Sequence, residues 1–236
     1  MKENAKRLLG CTYTLRMVHE GSASLEHAIL QSGSRWEPYV PTHFIYAFFS
    51  FNTLYNINWD DSLAYGYVRS QRSRMSDHEK IAHYLSFCCK EKDFLQKYKD
   101  FFIRYLTMHH SPAVILEELD KIQVDGRYSN GSVTNPQDIL KFRIACEDCL
   151  KRGMFDKDVI ERIVEFVYKI RCNIFHGTKT MQDMNNPSQQ IRLDIYSSFI
   201  VAINQMIFSY LEYKRGDDIT ANFDYTLKRL EWVRMK

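Results

Sequence analysis

The residues of this sequence best suited to chemistry are an arginine and a histidine near the end of an apolar run. Arg171, Asn173 and His176 are polar positions in residues 168–177, which read YKIRCNIFHG. In a helix, Asn173 and His176 share a face because they are three residues apart, and the long Arg171 side chain can reach the same region. Gly177 allows the chain to turn directly after His176. This turn would leave the imidazole exposed at the helix end.

These residue types suit acid–base chemistry at a phosphate ester. A histidine with an ordinary pKa of about 6.5 can take or return protons near neutral pH. An arginine binds a phosphate with a fixed fork of donors and stabilises the charge that builds on it. A purely structural interpretation also stands: both cations favour the negative end of the helix dipole, or Arg171 pairs with Glu161 or Glu165.

The elements that must position this pair are predicted to be helices. The 236 residues include only 9 glycines and 5 prolines, and apolar residues recur at helical spacing. The pattern predicts two helices or one kinked helix over 4–31, and further helices over 42–55, 80–90, 93–107, 113–119, 136–152, 158–177 and 188–213. A helical tail is expected in the second half of 216–236. The predicted fold is all-α: a single bundle of long antiparallel helices spanning 1–236, with its core over about 42–213.

Local signals indicate where several helices begin and end. Thr42 and Asp77 are predicted N-caps, and either Asp156 or Asp158 is predicted to cap the helix that carries the motif. Gly153 is predicted to end the preceding helix. The segment 42–55 is apolar nearly all round, which predicts a central helix.

Composition and cysteine spacing exclude several classes of function. The net charge of +3 permits phosphate binding without demanding it. Cys146 and Cys149 have the spacing of half a zinc site, but no second ligand pair follows, so helix packing is predicted and no metal or other cofactor is expected. The sequence has no run of 18 apolar residues and no signal-peptide pattern at its start, so a cytoplasmic protein without a membrane span is expected.

Other polar residues are weaker candidates. Arg69, Arg72 and Arg74 form a basic stretch that is ordinarily a solvated loop, but it is also the best RNA-backbone candidate outside the motif. The pair His109-His110 is predicted to lie in a surface turn.

The segment 171–177 resembles the signature of HEPN domains. In that family an arginine and a histidine are separated by four to six residues at the end of an apolar helix, and a polar residue often follows the arginine directly. Here Cys172 follows Arg171, and Asn173 comes one position later, which is a departure from the pattern.

A second segment strengthens the resemblance. Residues 48–55, FFSFNTLY, resemble an early helix of HEPN-like proteins, and the predicted helix order is compatible with that fold. The resemblance covers about 42–213 and is most specific over 171–179.

The resemblance implies a metal-independent RNA endonuclease. The ribose 2′-hydroxyl would attack the adjacent phosphate and give a 2′,3′-cyclic phosphate, with Arg171 and His176 as catalytic residues and Asn173 as a third candidate. Residues expected to contact the RNA backbone are Arg69, Arg72, Arg74 and Lys179.

The resemblance also implies partners. HEPN motifs usually meet across a two-fold interface, so a homodimer with the site at its interface is expected. A toxin or antiviral defence role, with an antitoxin or other regulatory protein as partner, follows from the family alone. The main alternative is a non-catalytic HEPN module that binds RNA, a nucleotide or a partner protein, and the third is a structural helical protein.

Overall fold

The computed structural model describes residues 40–57, 59, 75–122, 136–175 and 181–234. The helices of these ranges are numbered α1 (Val40–Tyr55), α2 (Asp77–Cys88), α3 (Lys92–Leu106), α4 (Pro112–Asp120), α5 (Pro136–Leu150), α6 (Lys157–Phe175), α7 (Met181–Met184), α8 (Pro187–Arg215) and α9 (Ile219–Arg234). No strand occurs within them, so the all-α prediction is confirmed for the described part of the chain. The helices predicted over 4–31 lie outside it.

Two helix starts differ from the prediction by a few residues. Ser76, rather than Asp77, is the N-cap of α2: its hydroxyl accepts the Glu79 N–H at 3.3 Å, and the Glu79 carboxylate accepts the Ser76 N–H at 2.6 Å. This reciprocal pair satisfies two helix-start donors at once, which a cap at Asp77 would not. Helix α1 begins at Val40, before the predicted cap Thr42, because a proline at position 41 fits the first turn of a helix.

The start and end signals around α5 and α6 act as predicted. Gly153 follows α5 with a left-handed φ of 64°, and the Met154 N–H donates to the Asp148 carbonyl at 2.9 Å. The Val159 N–H donates to the Asp156 carboxylate at 2.9 Å, so Asp156 rather than Asp158 caps α6.

Helix α8 forms the centre of the bundle. Its 29 residues pack against α1 and α3, and Asn204 donates to the Ala47 carbonyl of α1 at 2.8 Å in the buried core. By length and composition α8 could cross a membrane, but 78% of its most apolar window is buried inside the protein, as in the core helix of a bundle.

The described cysteines of α2 and α5 serve packing. Cys88, Cys146 and Cys149 are fully buried, and burial raises the pKa of Cys149 to about 12. No group of three metal-ligating side chains occurs in the described ranges, and the packing prediction for Cys146 and Cys149 is confirmed.

The C-terminal half of α6 is positioned by two antiparallel neighbours. Asp138, in the first turn of α5, pairs with Lys169 at 2.6 Å, and Asp77, the first residue of α2, accepts the Tyr168 hydroxyl at 3.0 Å. Both neighbouring helices therefore begin beside the last two turns of α6, where Arg171 lies.

Candidate functional site

The guanidinium of Arg171 lies among three aromatic rings. Its Cζ atom is 4.8 Å from the ring centroid of Phe175, 5.6 Å from that of Phe48 and 5.8 Å from that of Tyr168. Phe48 comes from α1, and the other two rings come from α6 itself. These distances fall within the range of cation–π attraction, which compensates in part for removing the guanidinium from water.

Arg171 has no ion-pair partner among the described residues. Neither Glu161 nor Glu165 pairs with it, so the ion pairs considered from the sequence are not what holds it. The only hydrogen bond from its guanidinium to a described residue is a long one, from Nη1 to Cys172 Sγ at 3.8 Å, and its buried Nε has none there. The positive charge is held in place by rings and is not neutralised by a described carboxylate.

The carboxylate of Asp77 binds one of the tyrosines that surround Arg171 and does not bind Arg171 itself. Asp77 accepts the hydroxyls of Tyr168 at 3.0 Å and Tyr55 at 3.3 Å, and Tyr55 also bonds to the side chain of Asn52. Burial and the neighbouring Asp77 raise the pKa of Tyr168 and of Tyr55 well above the ordinary value. Both hydroxyls therefore stay protonated and remain donors at neutral pH.

Beyond Arg171, aromatic side chains continue onto the surface. Phe175, Phe49 and Tyr46 are 41%, 47% and 38% exposed, and their rings touch in sequence, with centroids 5.9 Å and 6.4 Å apart. We call these three residues the aromatic row. The prediction that α1 is central holds for the face that packs against α8. The face of α1 that carries Phe49 and Tyr46 is apolar but exposed.

Asn173 lies away from the Arg171 rings. Helix α6 continues through Phe175, and two helical steps rotate a side chain by about 200° around the axis. Asn173 is half-buried on this other side, and its catalytic role stays a prediction.

The remaining predicted site residues lie outside the described ranges. These are His176, Lys179, Arg69, Arg72 and Arg74. In the sequence, His176 directly follows Phe175, the last described residue of α6, whose ring is the nearest to the guanidinium.

One titratable cluster was not predicted from the sequence. His110 and Asp194 are joined by a 2.8 Å contact between Nε2 and Oδ2, although they are 84 residues apart. Burial alone would raise the pKa of Asp194, but the bond to His110 and the charges of His109 and His43 hold it below the ordinary value. The segment His109-His110, predicted as a surface turn, therefore also links the connection between α3 and α4 to α8 through this side-chain contact.

The arrangement around Arg171 can bind an anion. A guanidinium whose one hydrogen bond to a described residue is long, and which has no described carboxylate partner, can offer two parallel N–H groups to a phosphate. No protein-family model matches the chain, and neither does a curated protein or a solved structure. The candidate site is therefore supported by its sequence motif and by these contacts.

Proposed function

We propose that this protein is a metal-independent RNA endonuclease in which Arg171 binds the reacting phosphate and His176 transfers the proton. The observation that carries the proposal is the state of Arg171: its guanidinium is enclosed by Phe48, Tyr168 and Phe175 and has no ion pair with a described residue. Polar atoms of an arginine that are fully buried normally have a partner, and the Nε of Arg171 is buried with no acceptor among the described residues.

The enclosure favours a phosphate in particular. A guanidinium that lies against aromatic rings and pairs with no described carboxylate can direct N–H groups at two oxygens of a phosphate. Partial removal from water makes that interaction stronger than at a fully solvated surface. An arginine held in one orientation before the substrate arrives stabilises the developing negative charge without having to reorganise.

The reaction needs one base, one acid and one anion-binding group. His176, acting as base, removes the proton of the ribose 2′-hydroxyl, and the 2′-oxygen forms a bond to phosphorus. The bond between phosphorus and the 5′-oxygen breaks, and an imidazolium returns a proton to that oxygen. The products are a 2′,3′-cyclic phosphate and a 5′-hydroxyl, and no step requires a metal.

The aromatic row supports the proposal of a two-fold dimer with the site at its interface. Phe49 and Phe175 expose large apolar area directly beside Arg171, and contiguous exposed apolar surface is typical of contacts with another protein. A second copy that covers this row would bring the two motifs together. RNA would then bind at the shared site. The proposed backbone contacts are Arg69, Arg72, Arg74 and Lys179.

The wider setting proposed for this activity is a toxin or antiviral effector restrained by an antitoxin or another regulatory protein. This part of the proposal derives from the HEPN resemblance of residues 171–177. A chain that binds RNA without cleaving it would instead be a non-catalytic module of the same kind.

The test is cleavage of a mixture of RNAs in EDTA, followed by identification of the product ends. The proposal expects cyclic phosphate and 5′-hydroxyl ends from the native protein and none from Arg171→Ala. Arg215→Ala is the matched control, because Arg215 is exposed and pairs with Asp217 at 2.6 Å. Cleavage that requires a divalent metal, or that leaves 5′-phosphate ends, contradicts the proposal.

A further inference from the structure

We infer that Tyr168, held by Asp77, is a positioning residue that sets the orientation of the Arg171 guanidinium. The inference rests on the proposed function, because it concerns how the phosphate-binding group is presented. It assigns a role to two side chains outside the arginine–histidine motif.

The first observation is the place of Tyr168 in the enclosure. Arg171 lies three residues after Tyr168, so the two side chains are neighbours on α6. The Tyr168 ring lies 5.8 Å from the guanidinium carbon and 6.1 Å from the ring of Phe48, which is another side of the enclosure. A change in the tilt of Tyr168 therefore changes the space available to the guanidinium.

The second observation is that Tyr168 is fixed from outside its own helix. Its hydroxyl donates to Asp77 at 3.0 Å, and its ring packs against His78, with centroids 5.1 Å apart. Both partners belong to the first turn of α2, which the capping pair Ser76 and Glu79 holds in place. A tyrosine clamped at both ring and hydroxyl has little freedom to rotate.

The third observation is the second hydroxyl on Asp77. The single hydroxyl proton of Tyr55, at the end of α1, is shared between this carboxylate oxygen, at 3.3 Å, and the side-chain oxygen of Asn52. Asp77 therefore links α1 and α6, the two helices that supply the rings around Arg171. Loss of the carboxylate would loosen both at once, whereas loss of the Tyr168 hydroxyl would release only one.

Arg171 itself shows why orientation needs outside support. In the described part of the chain, the Nε of Arg171 is buried without an acceptor. The one hydrogen bond of the guanidinium there, from Nη1 to Cys172 Sγ, is long. Rings attract a cation but do not fix its rotation as an ion pair would. The direction of the N–H edge must come from the shape of the enclosure.

The experiment uses a readout that does not need activity. In the full-length protein labelled with ¹⁵N-arginine, the Arg171 Nε–Hε resonance is identified by its loss in Arg171→Lys. Because this group is buried next to aromatic rings, its resonance reports the geometry of the enclosure. Tyr168→Phe and Asp77→Asn should each shift or broaden it, and Asp77→Asn should do so more strongly.

The matched control is Tyr210→Phe. Tyr210 also donates its hydroxyl to a carboxylate on another element, Glu91, at 3.2 Å. Its ring packs against Phe87 and Phe94, which are not among the three rings around Arg171. This variant should leave the resonance unchanged. The same three variants are then assayed for RNA cleavage. Tyr168→Phe should lower kcat on the order of tenfold with little change in KM, as expected when a reacting group is misplaced.

The outcomes separate the two claims. An Arg171 resonance in Tyr168→Phe and Asp77→Asn that matches the native one overturns the positioning role, whatever the cleavage rate. A shifted resonance with reduced kcat supports it. If the native protein cleaves no RNA, the proposed function fails, and the resonance alone still decides whether Tyr168 orients Arg171.

Discussion

Two partly buried arginines in this protein are held in opposite ways. Arg192, in the second turn of α8, pairs with Glu118 of α4 at 3.6 Å, and both side chains are about a tenth exposed. Arg171, near the end of α6, is held by three rings and pairs with no described carboxylate. The first arrangement neutralises a buried charge inside the molecule. The second keeps the charge available, which is what a site for an anionic substrate requires.

Both arginines have carboxylates in their surroundings, and the difference is whether the arginine itself pairs with one. Near the start of α8, carboxylates match cations: Glu118 also pairs with Lys121, and Asp194 bonds to His110. At the end of α6, Asp138 pairs with Lys169 and Asp77 pairs with Lys80. Asp77 also accepts the hydroxyls of Tyr168 and Tyr55, and neither of these two carboxylates pairs with Arg171. We interpret the first region as structural and the second as functional.

The largest expected effect is on catalysis at Arg171. Arg171→Ala should lower the cleavage rate about 10²–10³-fold, the usual cost of removing one charge-stabilising donor group. Arg171→Lys should recover only part of this, because an ammonium cannot present two parallel donors. Rates are measured on one RNA at fixed salt. Full activity in Arg171→Ala would contradict the functional role that we propose for Arg171.

The second prediction concerns stability at Arg192. Arg192→Met leaves Glu118 buried without its arginine, and breaking a buried pair costs about 3–5 kcal/mol. We expect about 3 kcal/mol, since Lys121 still reaches Glu118 at 2.8 Å. Urea denaturation measures the loss. Cleavage per folded molecule should match the native protein, and a selective loss of activity would show that Arg192 is not merely structural.

The sequence predicted what local chemistry decides. Helical spacing predicted the helices. Gly153 marked the end of one helix and Asp156 the start of the next, because a turn and a cap depend on neighbouring residues only. The motif arginine was found because its neighbours in the chain are apolar.

What could not be predicted depends on distant contacts. Asp77 looked like a helix cap, and nothing in its flanks indicates a bond to Tyr168, 91 residues away. His110 and Asp194 are 84 residues apart. Helix α1 is apolar nearly all round, so its sequence does not reveal that Phe49 is exposed.

A third prediction tests the aromatic row. Phe49→Asp places a charge on a surface that we propose to be covered by a second copy. It should convert the dimer to monomer in sedimentation at micromolar concentration and lower RNA cleavage in proportion. The circular dichroism of the monomer should match that of the native protein, because Phe49 is nearly half exposed in the single chain. Leu140→Asp is the control, as Leu140 is an exposed residue of α5. A native protein that is monomeric throughout this range would count against the interface.

The smallest effect is expected at Asp194. Its pKa is lowered in the folded protein, so its ionised form contributes stability above its unfolded pKa near 3.8, and this contribution is lost as pH falls through the lowered folded value. Asp194→Asn should therefore destabilise the protein at pH 7 by about 1 kcal/mol, and the difference should shrink below pH 4. Thermal unfolding at several pH values measures it. A difference in stability that grows as pH falls would contradict a stabilising role for the ionised form of Asp194.

The central claim is that the arginine–histidine motif cleaves RNA, and His176→Ala tests it most directly. Native protein and variant are compared on the same RNA in EDTA, at equal protein concentration and with matched circular dichroism. The account predicts that the variant loses about 10²–10⁴-fold in rate, the usual contribution of general acid–base catalysis. It also predicts 2′,3′-cyclic phosphate ends in the product of the native protein. Cleavage by His176→Ala at the native rate would contradict it.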